Sequence, residues 1–264
     1  MIPKTIHYCW FGGKKKSNLI NKCISSWKLY LPDYEIIEWN ESNCDLSLDF
    51  LQSCLKLKKW AFISDYIRLK KLKEFGGIYL DTDMLLVKNL NPLLRYNCFF
   101  GAEDLEYVNA SIFGVEKGFS FIDHILNEYE KIDSLTETTD LTTITIPRIL
   151  TKAFNNLNNG INTTFSTIKE QHNIVIFPSK YFYPLPYNDR YKVKDYNRYI
   201  YPETYAIHLW NASWVNYSEF HYFRMGSYKK GFLKIVKGET SQKLSLKYFE
   251  KIASCIKESL KSKN

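Results

Sequence analysis

Residues 64–85 read SDYIRLKKLKEFGGIYLDTDML. The first part has the spacing of a helix. Over residues 59–75, Ala61, Phe62, Tyr66, Leu69 and Leu72 fall on one arc of a helical wheel, and the run stops at Gly76-Gly77. A glycine after the last periodic residue is a usual helix C-terminal signal. The second part changes period. Ile78-Tyr79-Leu80 and Met84–Val87 are short apolar runs with strand character, and they flank the polar triplet Asp81-Thr82-Asp83. Helix, glycine stop, buried strand and acidic triplet in this order read as one unit of an α/β fold.

The rest of the chain continues the alternation. Residues 4–11, closing on Gly12-Gly13, read as a first strand, 18–30 as a helix and 34–39 as a second strand. Downstream, 98–102 and 110–115 read as strands and 119–131 and 141–156 as helices, followed by strands at 174–177 and 204–210. This pattern predicts a largely parallel, Rossmann-like sheet flanked by helices. Residues 133–143 and 155–164 are rich in Ser, Thr and Asn and read as loops. Residues 181–202, with three Pro and seven Tyr, read as an irregular aromatic loop.

Composition narrows the classes. The 264 residues are 45% hydrophobic and 24% charged, which excludes a disordered, collagen-like or coiled-coil chain. The net charge of +8 is concentrated: residues 228–264 hold ten Lys against three Glu. Basic residues confined to a tail, without a recognition element, predict no nucleic-acid partner. The six cysteines show no zinc-like spacing, which fits a reducing compartment. No secretory leader or run of 18 apolar residues is read, so a cytoplasmic, non-spanning protein is expected. Residues 241–262 are amphipathic, with Phe249, Ile252, Ala253, Ile256 and Leu260 in one arc and Lys243, Lys247, Lys251 and Lys261 opposite. They read either as a helix capping the domain, its lysines solvated, or as a basic surface attracted to anionic lipid.

Several residues carry candidate chemistry. If the triplet is extended, the side chains of Asp81 and Asp83 point the same way, and two hard oxygen donors suit Mg²⁺ or Mn²⁺. A solvated turn is the plain alternative. The triplet follows a buried strand, however, and ligands of open α/β sheets sit at the carboxyl ends of strands. Asp65 lies inside the apolar arc of the preceding helix, with Arg68 at its edge. A carboxylate facing a core is costly unless paired. The two residues are either an internal pair or both reach a polar ligand. His7 reads as a satisfied core histidine. Trp10, before a Gly-Gly turn, could offer its face to a base. His208, near the end of a late strand, is either a core residue or a nitrogen ligand for a metal.

The block 64–85 resembles the sugar-nucleotide motif of glycosyltransferase family 32, the DXD-containing group of bacterial capsule and lipopolysaccharide sugar transferases and fungal mannosyltransferases. It is also similar to the glucosyltransferase domain of the large clostridial toxins. Residues 2–13 and 34–41 resemble the first two strands of that group. The resemblance implies a GT-A fold, retention of anomeric configuration, a UDP-sugar donor, and Mn²⁺ or Mg²⁺. It implies that Trp10 stacks on the base and that Asp65 and Arg68 contact donor sugar and ribose, with Tyr79 nearby. Asp81 would face ribose and metal, Asp83 would bind the metal, and His208 would be the late-strand ligand. Ser213 and Trp214 would close over the diphosphate. Thr145-Ile146-Pro147 stands where members often carry Thr-Gly-Pro before an acceptor helix. The expected arrangement is a catalytic domain over 1–215 and a basic helical extension over 216–264. The expected acceptor is a surface polysaccharide or lipid-linked oligosaccharide at the inner face of a bacterial membrane, with peripheral contact through the basic C-terminus. A toxin-like protein-modifying transferase and a noncatalytic sugar-nucleotide-binding module are the alternatives.

Overall fold

The structure is a computed structural model that describes residues 1–211, 218–224 and 226–261. The chain divides into two compact units, Met1–Pro186 with Tyr199–Leu209, and Tyr187–Arg198 with Trp210–Asn264. The boundary read from sequence at 215/216 lies outside the described residues.

The larger unit begins with β1 (Thr5–Cys9), α1 (Asn18–Tyr30) and β2 (Glu35–Trp39), followed by α2 (Asp49–Lys56) and α3 (Trp60–Phe75). Next come β3 (Gly77–Leu80), β4 (Met84–Leu86), β5 (Cys98–Ala102) and β6 (Val108–Val115). The unit continues with α4 (Phe121–Glu130), α5 (Ile146–Leu157), β7 (Lys169–Gln171), β8 (Ile174–Phe177) and β9 (Ala206–His208). Local signals explain the boundaries. The Ser17 hydroxyl accepts a hydrogen bond from the Ile20 amide and caps α1. Gly76 ends α3 at φ 70°, its amide donating to the Leu72 carbonyl. Gly77 follows at φ 112°, where a Cβ would sit 2.7 Å from the Thr5 carbonyl, so β3 packs this closely only as glycine.

The α/β fold expected from sequence, a mostly parallel sheet flanked by helices, is present. The main sheet has the order β2-β1-β3-β6-β5-β8-β7. The pairings run β1, β2, β3, β5 and β8 in one direction and β6 and β7 in the other. β6 is antiparallel because a short connection returns it from β5 as a hairpin, which only antiparallel strands allow. It lies between β3 and β5, and all eight of its residues are buried. Alternation gives the sheet two covered faces. Tyr79, Phe100 and Phe113 join the core beneath α2, α3, α4 and α5. On the other face Trp27 of α1 meets Tyr8 edge-on at 5.5 Å and is fully buried, a contribution of about 2–3 kcal/mol. Two short elements, α2 and β7, were not read from the sequence. The aromatic loop contains 3-10 turns at Ser179–Tyr181 and Tyr187–Tyr199.

The smaller unit holds α6 (Glu219–Arg224), α7 (Tyr228–Val236) and α8 (Leu246–Lys261) around a core of Phe220, Phe223, Tyr248, Ile252 and Cys255. The arc read from sequence is rotated. Phe249 and Leu260 are 53% and 52% exposed, whereas Tyr248, Ile252, Cys255 and Ser259 face inward. Among the described residues no helix is long and apolar enough to cross a membrane.

Candidate active site

Asp81-Thr82-Asp83 is a turn, not an extended segment. β3 ends at Leu80, and the Met84 amide donates back to the Asp81 carbonyl at 2.9 Å. The Asp81 amide is held by the Ser111 carbonyl of β6 at 2.7 Å. The turn, rather than strand alternation, aims the two carboxylates at one place. It also sends β4 out of the main sheet to pair with β9, Met84 opposite His208. The Leu209 amide then donates to the Asp83 carbonyl at 3.0 Å.

This pairing brings His208 to the acidic turn across 125 residues of sequence, with its Nε2 3.1 Å from Asp83 Oδ1. One donor atom from each of Asp81, Asp83 and His208 lies within 4.8 Å of the other two. Asp83 and His208 are buried and Asp81 is half-buried. Burial opposes a charge on His208, but the adjacent Asp83 carboxylate, with Asp81 and Glu103, raises its pKa above the ordinary value. Two carboxylate oxygens and an imidazole nitrogen fit Mn²⁺ or Mg²⁺ in kind.

Behind the turn lies Arg68. Its guanidinium sits 3.0 Å from Asp65 Oδ1 and 3.1 Å from Asp81 Oδ1. It also donates to the Ala110 carbonyl at 2.9 Å and lies 4.4 Å from the centroid of the Tyr79 ring. Of the two readings of Asp65 and Arg68, the internal pair is present, and it extends to the acidic turn. Burial works against the Arg68 charge, yet Asp81, Tyr79 and Asp65 together hold it firmly protonated. Burial, reinforced by Asp81, raises the Asp65 carboxyl, while Arg68 and the Ile146 amide at the start of α5 pull it back. The start of α5 at Ile146-Pro147 therefore lies beside Asp65. Tyr79 is 1% exposed, and its hydroxyl donates to Asp81 Oδ1 at 3.0 Å.

The remaining sequence candidates separate. Trp10 is half-buried and donates its indole N–H to the Lys14 carbonyl at 2.7 Å, with the Lys16 ammonium 5.3 Å from its ring. His7 is a core residue, as read. It accepts from the Trp39 indole N–H at 3.0 Å through Nδ1, so Nε2 carries the proton toward the Gly76 carbonyl at 3.0 Å. Ser213 and Trp214 lie outside the described residues. Sequence reading missed Glu103, Asn109 and Ser111. Asn109 accepts from the Ser111 amide and hydroxyl, each at 2.8 Å, and donates to Glu103 at 2.6 Å. Burial raises the Glu103 carboxyl. The available signal was two polar residues at alternate positions of the buried stretch VNASIFGV.

Paired carboxylates and an imidazole converge beside a buried guanidinium at the ends of sheet strands, where open α/β sheets take their ligands. Residues 17–100 match the family described as a glycosyltransferase sugar-binding region containing a DXD motif. Asp81-Thr82-Asp83 is the one Asp-X-Asp sequence within those matched residues. It is 26% identical over 129 residues to inositol phosphoceramide mannosyltransferase 3 of Schizosaccharomyces pombe, covering 46% of this chain and 35% of that protein. It is 27% identical over 160 residues to human lactosylceramide 4-alpha-galactosyltransferase, covering 56% and 41%. The chain thus spans less than half the length of these two curated relatives. Among solved structures, PaToxG glycosyltransferase aligns with a TM-score of 0.47 at 19% identity, over 60% of this chain and 70% of that one.

Proposed function

We propose that the chain transfers a hexose from a UDP-sugar to a hydroxyl of a glycan or lipid-linked acceptor, with retention of anomeric configuration and in dependence on Mn²⁺ or Mg²⁺. The observation that carries this reading is the convergence of Asp81, Asp83 and His208 within 4.8 Å beside the buried Arg68. Held by those three side chains, a divalent cation would supply Lewis-acid stabilisation of the charge on a departing diphosphate. Arg68 and the Tyr79 hydroxyl hold the Asp81 carboxylate in position. Asp65 accepts hydrogen bonds from hydroxyls of the donor sugar, and Trp10 stacks on the base. The acceptor hydroxyl attacks from the face the diphosphate leaves, and its proton passes to the departing phosphate. The names of the two relatives specify ceramide-borne substrates, which supports a lipid-linked acceptor over a protein one. A bacterial surface-polysaccharide precursor is a narrower form of this reading.

The test is a panel of UDP- and GDP-sugars assayed for hydrolysis with Mn²⁺. One UDP-hexose is expected to turn over, and Asp83→Ala to slow it about a hundred- to a thousandfold, equivalent to ~3–4 kcal/mol of transition-state stabilisation. Undiminished turnover in that variant, or in excess EDTA, would refute the metal assignment. Absence of both binding and hydrolysis for every sugar nucleotide in the panel would refute the transferase reading.

A further inference from the structure

We propose that the exposed apolar side chains of α7 and α8 dock on an anionic phospholipid bilayer. Seven of the sixteen exposed large apolar side chains among the described residues fall within residues 228–261: Phe232, Leu233, Val236, Leu244, Leu246, Phe249 and Leu260. On α7, Phe232, Leu233 and Val236 share one side. On α8, Leu246, Phe249 and Leu260 share another stripe, with the exposed Ala253 between them. These residues are not the core of the unit, which is supplied by Phe220, Phe223, Tyr248, Ile252 and Cys255. The outward stripe is a second apolar face on a helix that has already buried its first.

Charge chooses the occupant. Lys229, Lys230 and Lys237 surround the α7 rim, and Lys243, Lys247 and Lys257 accompany the α8 stripe, all exposed. Residues 228–264 carry ten Lys against three Glu. One of those glutamates, Glu258, is engaged with Arg224 at 2.9 Å. Apolar side chains bordered by lysines match a lipid interface, where the side chains enter the acyl boundary and the ammonium groups meet anionic headgroups. A second copy of the chain fits less well, because two such faces would bring like charges together. The proposal does not rest on the transferase reading.

The full chain is sedimented with vesicles of phosphatidylcholine containing about one third phosphatidylglycerol, and with vesicles of phosphatidylcholine alone. Binding is expected to the anionic vesicles, about tenfold weaker to the neutral ones, and reversible at ~0.5 M salt. Val236→Ser with Leu246→Ser replaces side chains that are 82% and 79% exposed, so folding is unaffected. That variant, and Lys243→Glu with Lys247→Glu, are each expected to bind about tenfold less while circular dichroism and the thermal midpoint stay at parental values. Failure of the parent to sediment, equal binding to neutral vesicles, or undiminished binding by both variants would overturn the proposal. So would a dimer in light scattering that the serine variant dissolves while the parent ignores vesicles, which would assign these side chains to a second copy.

Discussion

Arg68 is the residue on which the site depends for its charge balance. It is 4% exposed and touches two carboxylates. Removing it leaves Asp65 and Asp81 facing each other without a cation. Arg68→Ala is expected to lower the unfolding free energy by about 3–5 kcal/mol in urea titration. Arg68→Lys should recover only part of this, because an ammonium cannot reproduce a fork that reaches Asp65, Asp81 and the Ala110 carbonyl together. His7 makes a different test. Burial, helped by Lys71 and opposed by the bond to Gly76, lowers its pKa from 6.5 to about 4. The unfolded chain therefore takes up the proton first as pH falls. Stability is expected to drop between pH 6.5 and about 4, at up to ~1.4 kcal/mol per pH unit, and this contribution levels off below the folded value. Burial lowers His221 to about 4 as well, so it adds to the same window. The urea midpoint of His7→Gln, compared with the parent between pH 7 and 4, should fall less steeply. Equal slopes would mean that His7 is not neutral in the fold.

At the scale of elements, α8 shows how an amphipathic pattern finds a helix but not its buried face. The apolar residues of 246–261 cover a wide arc, and only the part facing α6 and α7 is enclosed. Ile252→Ala is expected to destabilise by about 2–4 kcal/mol, because Ile252 is 7% exposed within the helical core. Phe249→Ser should change stability by no more than about 0.5 kcal/mol. Chemical denaturation of the two variants checks the register, and comparable losses in both would restore the face read from sequence. The acidic turn teaches a related lesson. The strands on either side of it were legible from their apolar runs. The change of direction between them was not, because it depends on β4 finding β9 rather than on any residue in the triplet.

At the scale of the molecule, the site is a meeting of remote segments. α3 contributes Asp65 and Arg68, the β3–β4 turn contributes Asp81 and Asp83, and β9 contributes His208. A ligand that joins the turn to β9 binds only the folded chain and must stabilise it by mass action. Mn²⁺ at a hundredfold excess over its dissociation constant is expected to add about 2.7 kcal/mol, or roughly 5–10 °C in thermal midpoint. His208→Asn or Asp83→Asn should abolish the shift. A shift unchanged in both would place the ion elsewhere.

Periodicity and punctuation in the chain were enough to place most helices and strands. The α/β class, the stop at Gly76-Gly77 and the acidic pair are all local properties, set by side-chain spacing and by glycine's freedom of φ. Asp65 and Arg68 were marked as anomalous for the same reason, since charge on an apolar arc shows in one dimension. Only the folded chain could decide that Arg68 spans two carboxylates, that His208 lies against Asp83, and that Ser111 of β6 holds the turn with Asn109 behind it. Those facts rest on contacts between residues far apart in sequence. Burial and sheet register create such contacts, and neither is encoded at any single position.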